Sequence, residues 1–312
     1  MNSVLINHKV TADINVSCFG EVLWDCFSDD KRVGGAPLNV CVRLNSLGIK
    51  ASMISAVGDD LLGRELLSFI DDRGVNRDCI AMDPVKSTST VQVTLDKNGS
   101  ASYEIVADTA WDNIALTEDL IEQVNRADML VFGSLIGRND VSLSTLTALV
   151  ELAAFSVFDV NLRAPHYQIG NVVNLMKKAD FIKLNDDELY EIAKEMGSPF
   201  YSLEQNLDFI AEQTQTKYLC VTKGSHGALL SVAGQKFYNS GYLVNVVDTV
   251  GAGDSFLGSL LYQLCSDNNP QYAIDFACAV GALVAQSHGA TPLLSLSEIQ
   301  LFMQPVQPVQ PV

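Results

Sequence analysis

From about residue 125 onward, short apolar runs at 129–132, 156–160, 181–184 and 218–221 alternate with longer amphipathic stretches at 143–155, 187–196, 203–213 and 272–287. Runs of four or five apolar residues suit strands buried on both faces, and apolar positions recurring every three or four residues suit helices with one buried face. The alternation predicts an α/β fold, a mostly parallel sheet wrapped by helices. The first half adds a strand at 53–57 between helices at 40–47 and 61–70, with Gly48, Gly74 and Gly197 as helix stops. One segment breaks the pattern. Residues 90–95 alternate polar and apolar, Lys97-Asn98-Gly99 supplies a turn, and 102–106 returns with Tyr103 and Ile105 spaced by two. With 18–27 this hairpin would form a small sheet closing over a ligand; an edge hairpin of the main sheet fits the pattern equally well.

Near the end, an apolar run at 242–247 predicts a strand leading into Asp248-Thr249-Val250-Gly251-Ala252-Gly253-Asp254, and Phe256, Leu257, Leu260, Leu261 and Leu264 mark one buried helical face beyond it. Gly251 and Gly253, with only a methyl on Ala252 between them, let backbone approach an anion where the first free helix amides point outward. Asp254 then places a carboxylate beside an anion site. As a first-turn acid it would stabilise the helix dipole; as a base it would take a proton from a group about to attack a phosphate. The spacing excludes both G-x-x-x-x-G-K-[ST] and G-x-G-x-x-G.

With 312 residues, 48% of them hydrophobic, the chain can bury a large core. No apolar run reaches the length of a membrane span, and the first 15 residues lack the apolar core of a signal peptide. Seven cysteines without C-x-x-C spacing read as buried free thiols, which suggests a reducing, cytoplasmic setting. A net charge of −17 disfavours nucleic acid and anionic membranes as partners. Any anionic substrate must then be held by local donors or a metal. The Gln-Pro-Val repeat of 304–312 reads as an extended, disordered tail.

Other small or polar residues fall at predicted strand ends, where open α/β sheets bind ligands. Asp25 and Asn39, the latter after Gly34 and Gly35, offer the mixed acceptors and donors that suit an uncharged polyol. Asn185 and Glu188 have the spacing of a capping box, and would also face a nucleotide's triphosphate and the waters of a Mg²⁺ ion. Thr222, Gly224 and Gly227 can line a nucleotide; Arg163 is a sugar or anion contact or a surface ion pair.

Taken in order, G-E-V-L-W-D (20–25), G-G-A-P-L-N-V (34–40), V-G-D-D-L-L-G (57–63), D-V-N-L-R (159–163), K-L-N-D-D-E-L (183–189), T-K-G-S-H-G (222–227) and D-T-V-G-A-G-D-S-F (248–256) resemble the ribokinase-like (PfkB) carbohydrate kinases, fructokinases above all. The resemblance implies a three-layer ribokinase-like domain over 16–303, with a β-sheet lid from about 17–36 and 87–108. It implies ATP and Mg²⁺ as cofactors and a sugar as acceptor, with Asp254 as base and the backbone of Gly251, Ala252, Gly253 and Asp254 as anion hole. Asp25, Gly34, Gly35, Asn39, Tyr103 and Arg163 would hold the sugar. Asn185, Glu188, Thr222, Gly224, Gly227 and Cys278 would hold the nucleotide. A K⁺ ion would sit among Asp248, Val250, Val284, Ser287 and Gly289, and the exposed lid offers a surface for a homodimer. Fructose is the expected acceptor, with ribose or 2-keto-3-deoxygluconate as alternatives, and a non-catalytic sugar-binding regulator as the rival class.

Overall fold

The computed structural model describes residues 5, 11–27, 30–95, 101–266 and 269–304. The first half contains β1 (Asn15–Phe19), β2 (Leu23–Cys26), β3 (Lys31–Gly34), α1 (Ala36–Ser46), β4 (Lys50–Gly58), α2 (Leu61–Asp72), β5 (Asn76–Asp83), β6 (Ser89–Leu95), β7 (Ala101–Ile105), α3 (Glu118–Arg126), β8 (Met129–Gly133) and α4 (Asp140–Leu152). The second contains β9 (Ser156–Asp159), α5 (Ile169–Met176), β10 (Phe181–Asn185), α6 (Asp186–Glu195), α7 (Leu203–Thr214), β11 (Tyr218–Thr222), β12 (Ala228–Val232), β13 (Gln235–Asn239), α8 (Ala252–Cys265), α9 (Pro270–Ala285) and α10 (Leu296–Phe302).

Among the described residues, nine strands form the main sheet in the order β13-β12-β11-β10-β9-β8-β1-β4-β5. From β5 to β11 neighbouring strands run parallel; β12 and β13 add an antiparallel edge. Strand β1 lies between β4 and β8, so connections on its two sides diverge and open a crevice at the carboxyl ends. One face packs on α1, α2, α8 and α9 through residues such as Leu38, Leu66, Leu257 and Ala277. The other packs on α3 to α7 through Leu120, Leu146, Val172, Leu189 and Leu207. This is the expected three-layer, ribokinase-like architecture. All seven cysteines are free thiols, five of them buried. Among the described residues no helix is long and apolar enough to cross a membrane.

Strands β3, β2, β6 and β7 form a separate small sheet. Two joints tie it to the body. Trp24 Nε1 donates to the carbonyl of Leu62 at 3.0 Å, and Asp60, the N-cap of α2, accepts from both the amide and the hydroxyl of Thr88 at 2.8 Å just before β6. Gly58 and Gly63 are packed against Thr88, which accounts for the glycines of the 57–63 motif. The tip of the hairpin, 96–100, and the tail from 305 lie outside the described residues, as does the side chain of Tyr103.

Two expectations need correction. Cys18 and Phe19 belong to β1 in the main sheet, so the lid begins only at Leu23. Residues 242–247 are not a strand. Past β13 the chain turns at Gly241, with φ +85°, and runs irregularly with Leu243, Val246 and Val247 exposed. Its path is set instead by the end of α9, where the carbonyl of Ala285 accepts from Val247 N at 2.8 Å and Asp248 N at 3.2 Å.

Candidate active site

A tight loop rather than a strand delivers the chain into α8. Gly251 is its N-cap, with φ +73°, and a Cβ there would lie 2.5 Å from the Cβ of Ala290. A residue with a side chain is excluded both by the left-handed backbone and by that contact. Ser255 N closes the first helical turn onto Gly251 O at 2.8 Å, which leaves the amides of Gly253 and Asp254 without intrahelical acceptors. Gly253 keeps the surface open: the nearest atom to a Cβ built there is Lys183 Nζ, at 3.5 Å.

Asp254 lies in the first turn of α8. Asn39 Nδ2, from the first turn of α1, donates to its Oδ2 at 2.8 Å. Burial first, and then the Asp159 carboxylate, push its pKa from 3.8 up to about 6; Lys183, Asn39 and Arg163 pull the other way. Lys183 and Asp159 are register partners on β10 and β9, and both are buried. Lys183 Nζ donates to both Asp159 oxygens, at 2.9 and 3.2 Å. Burial alone would lower the Lys183 pKa, but Asp159, Glu188 and Asp254 outweigh it and hold the ammonium charged. A fixed cation therefore lies beneath the glycine loop. The motifs assign neither Lys183 nor Asp159 a role, although a lysine inside one apolar strand and an aspartate ending the apolar strand before it are a usable signal.

On the lid side, Asp25 leaves β2 and packs on Gly34, where a Cβ would meet its Oδ2 at 2.5 Å. Burial first raises its pKa to about 6, with Asp248 adding to the effect while Arg163 and Arg32 oppose it. Arg163 follows β9 in an exposed loop, and its charge is felt at Asp25, Glu21 and Asp254 alike. Gly35 (φ +113°) is the N-cap of α1 and presses on the backbone of Glu21 and Val22. Asp25, Gly34, Gly35, Asn39, Arg163 and Asp254 thus gather at one end of the crevice.

Further along the strand ends, Asn185 and Thr222 are register partners on β10 and β11. Asn185 caps α6 as its spacing predicted: its Oδ1 accepts from Glu188 N, and Glu188 Oε2 accepts from Asn185 N, each at 2.8 Å. Glu188 Oε1 accepts from Leu162 N at 2.8 Å. Gly224 and Gly227, with φ of +53° and +77°, shape the turn into β12, and Gly227 is packed on the backbone of Asn239. Cys278 is buried in α9; burial, then Asp275, push its thiol up to about 12 while Lys223 of the Gly224 turn opposes them.

The residues expected around K⁺ are brought close to one another. Asp248 Oδ1 accepts from Val250 N at 3.0 Å, and Oδ2 accepts from Arg32 Nη1 at 3.1 Å and Gly289 N at 3.4 Å. The carbonyl of Val284 is taken by Ser287 N at 2.9 Å. The positive charge paired with Asp248 is the guanidinium of lid residue Arg32.

The model of the pfkB family carbohydrate kinases matches residues 3–296. The chain belongs to the pfkB family. It is 32% identical over 289 residues to a fructokinase of Vibrio alginolyticus, covering 88% of this chain and 92% of that one. It is 28% identical to the probable chloroplastic fructokinase-6 of Arabidopsis thaliana, covering 91% of this chain and 80% of the relative. Among solved structures, the fructokinase of Vibrio cholerae O395 in a fructose, ADP and calcium bound form superposes with a TM-score of 0.82 at 27% identity, over 94% of this pfkB chain and 100% of that one. An aminoimidazole riboside kinase of Salmonella enterica matches with a TM-score of 0.76 at 25% identity, over 93% and 100%.

Proposed function

We propose that this pfkB kinase is a fructokinase, transferring the terminal phosphoryl group of ATP to a primary hydroxyl of free fructose. One observation carries the reading: a carboxyl at the N-terminus of α8, raised to a pKa of about 6, stands beside free helix amides and over a buried ammonium. Fructokinase relatives over nearly the whole chain, and a neighbour of known structure holding fructose and ADP, support the choice of acceptor.

The sugar is held by Asp25, Asn39 and Arg163, with Gly34 letting Asp25 pack against it, Gly35 letting the start of α1 approach Glu21, and Tyr103 on the lid strand opposite Val93. ATP lies along the strand ends, its phosphates toward Asn185 and the Gly251 loop, its base near Thr222, Gly224, Gly227 and the Cys278 face of α9. The hydroxyl oxygen bonds to the terminal phosphorus as the bond to the ADP oxygen breaks, and the hydroxyl proton passes to Asp254. The amides of Gly253 and Asp254 and the Lys183 ammonium meet the charge spread over the transferred group, an effect of roughly 3–4 kcal/mol for one well-placed donor. Lid closure excludes water, which would otherwise accept the phosphoryl group.

Mg²⁺ fits as a companion of the phosphates. Among the described residues no three carboxyl, His or Cys side chains converge on one point, and Mg²⁺ readily keeps several waters. Asn185 and Glu188 would face those waters; when bound, the ion neutralises phosphate charge. K⁺ takes no step in this scheme.

The test is ADP release from purified protein with ATP, Mg²⁺ and a panel of fructose, ribose and 2-keto-3-deoxygluconate. The highest kcat/KM is expected with fructose. Another sugar in first place would overturn the acceptor, and binding without ADP release would overturn the enzyme.

A further inference from the structure

Glu21 lies at the junction of the sheet, the lid and the catalytic helices, yet none of the chemistry above uses it. It leaves the carboxyl end of β1 and is only 3% exposed. Its Oε1 accepts from Ala36 N, the first amide of α1, at 3.2 Å. Its Oε2 is buried with no hydrogen-bond partner among the described residues. The surrounding backbone is closely fitted: a Cβ on Gly20 would lie 2.5 Å from Pro37 Cγ, and Gly35 admits no Cβ beside the Glu21 carbonyl. Residues 20–22 and 35–37 are thus locked together. Three positions beyond Ala36, Asn39 reaches Asp254.

A buried carboxylate needs a cation or several donors to offset its lost hydration. Among the described residues no ion pair reaches Glu21. The charged groups facing it are Asp254 from α8, which opposes ionisation, and Arg163 from the loop after β9, which favours it weakly. Burial, the largest effect, pushes the carboxyl pKa up to about 7.

We propose that Glu21 is a positioning residue of the phosphoryl transfer, a neutral carboxylic acid whose carbonyl oxygen seats the first turn of α1 and so aims the Asn39 amide at Asp254. The inference rests on Asp254 being the base. It says that the shape and hydrogen bonding of this side chain matter, and that a negative charge on it does not.

Two variants and one spectrum test it. Glu21→Leu removes the acceptor for Ala36 N at similar volume; turnover with fructose falls at least tenfold, with KM for ATP within about twofold. The acid limb of the pH profile moves to higher pH, because a slackened Asn39 no longer holds down the Asp254 pKa. Glu21→Gln, which keeps a carbonyl oxygen to accept from Ala36 N and carries no charge, restores turnover to within about threefold of the parent and returns the limb to its place. Glu21→Leu with unshifted turnover and limb, or Glu21→Gln as impaired as Glu21→Leu, overturns the proposal. Infrared difference spectra of parent minus Glu21→Gln at pH 6 should contain the carbonyl band of a protonated carboxyl; a carboxylate band in its place overturns it as well. The spectrum needs no substrate, so it judges Glu21 even where the choice of fructose or of base is wrong.

Discussion

Asp254→Asn separates a catalytic carboxylate from a helix-stabilising one, because the two roles demand opposite changes in stability. The side chain lies between Asn39 at 2.8 Å and the Lys183–Asp159 pair, and its pKa rises from 3.8 to about 6. The folded protein holds this proton more tightly than the unfolded chain does. The group's contribution to stability is therefore full below about pH 4 and lost as the pH passes about 6, leaving an ionised group that opposes folding at pH 8. Two decades of proton affinity correspond to about 3 kcal/mol. Partial contact with solvent at the crevice mouth reduces this to about 1–3 kcal/mol. Asparagine keeps the acceptor for Asn39 and removes the charge, so the variant should melt about 2–6 °C higher than the parent at pH 8 and nearly with it at pH 4. Turnover should fall by about 10² or more, since an amide cannot take the proton as the Asp254 carboxylate does. Coupled ADP release gives the first measurement and thermal melts at the two pH values give the second. A lower melting point at pH 8 would show Asp254 stabilising its helix, an effect of about 0.3–1 kcal/mol. Turnover within tenfold of the parent would remove it as the base.

The pH profile of kcat/KM in the parent should rise through an apparent pKa of about 6, and Asp25→Asn should make that rise shallower, because the parent loses protons from both Asp25 and Asp254 in the same window and the variant from Asp254 alone; a limb near pH 4 would contradict both. Lys183→Met leaves Asp159 buried without its cation, which should cost about 3–5 kcal/mol in chemical denaturation and move the acid limb upward. An unchanged denaturation midpoint would mean that the pair is solvated. Gly251→Ala meets the left-handed backbone and the Ala290 contact together, so turnover should collapse far more than in Gly48→Ala, whose added methyl meets nothing; equal losses would show that the loop is not a fitted cradle. Arg32→Ala frees Asp248 from its guanidinium, so added KCl should stimulate this variant while changing the parent less than twofold. Equal responses would rule out Arg32 as the resident charge.

The parallel sheet was legible because its strands are buried on both faces and read as plain apolar runs: those at 129–132, 156–160, 181–184 and 218–221 match β8 to β11 within a residue or so. Helix ends were legible where capping is local, as at Asn185 and Glu188. The 242–247 segment misled for the same reason. Its apolar residues have no sheet edge to join, and its path depends on one carbonyl at the end of a helix some 40 positions later. Periodicity describes which face of an element is buried and is silent about irregular backbone held by a distant partner.

The site divides along the same line. Motifs found Asp254, the Gly251 loop, Asp25 and Asn39 because each sits within a few residues of a glycine in a short stretch of chain. What they missed are partners joined only by folding: Lys183 with Asp159 across two strands, Arg32 with Asp248 across 216 positions, and Glu21 with the start of α1. In each case one member lies inside or beside a recognised motif, yet what it does is set by the other. Raising a carboxyl from 3.8 to about 6 takes burial and then the Asp159 carboxylate of β9, against the opposing charges of Lys183 on β10 and Arg163 in the loop after β9. The motif therefore supplies the reacting group, while burial in the crevice and the strand ends brought side by side there set its proton affinity. A chain carrying D-T-V-G-A-G-D-S-F but lacking the Lys183–Asp159 pair should keep the cradle and lose the ammonium beneath it, and that separates inheriting the motif from inheriting the activity.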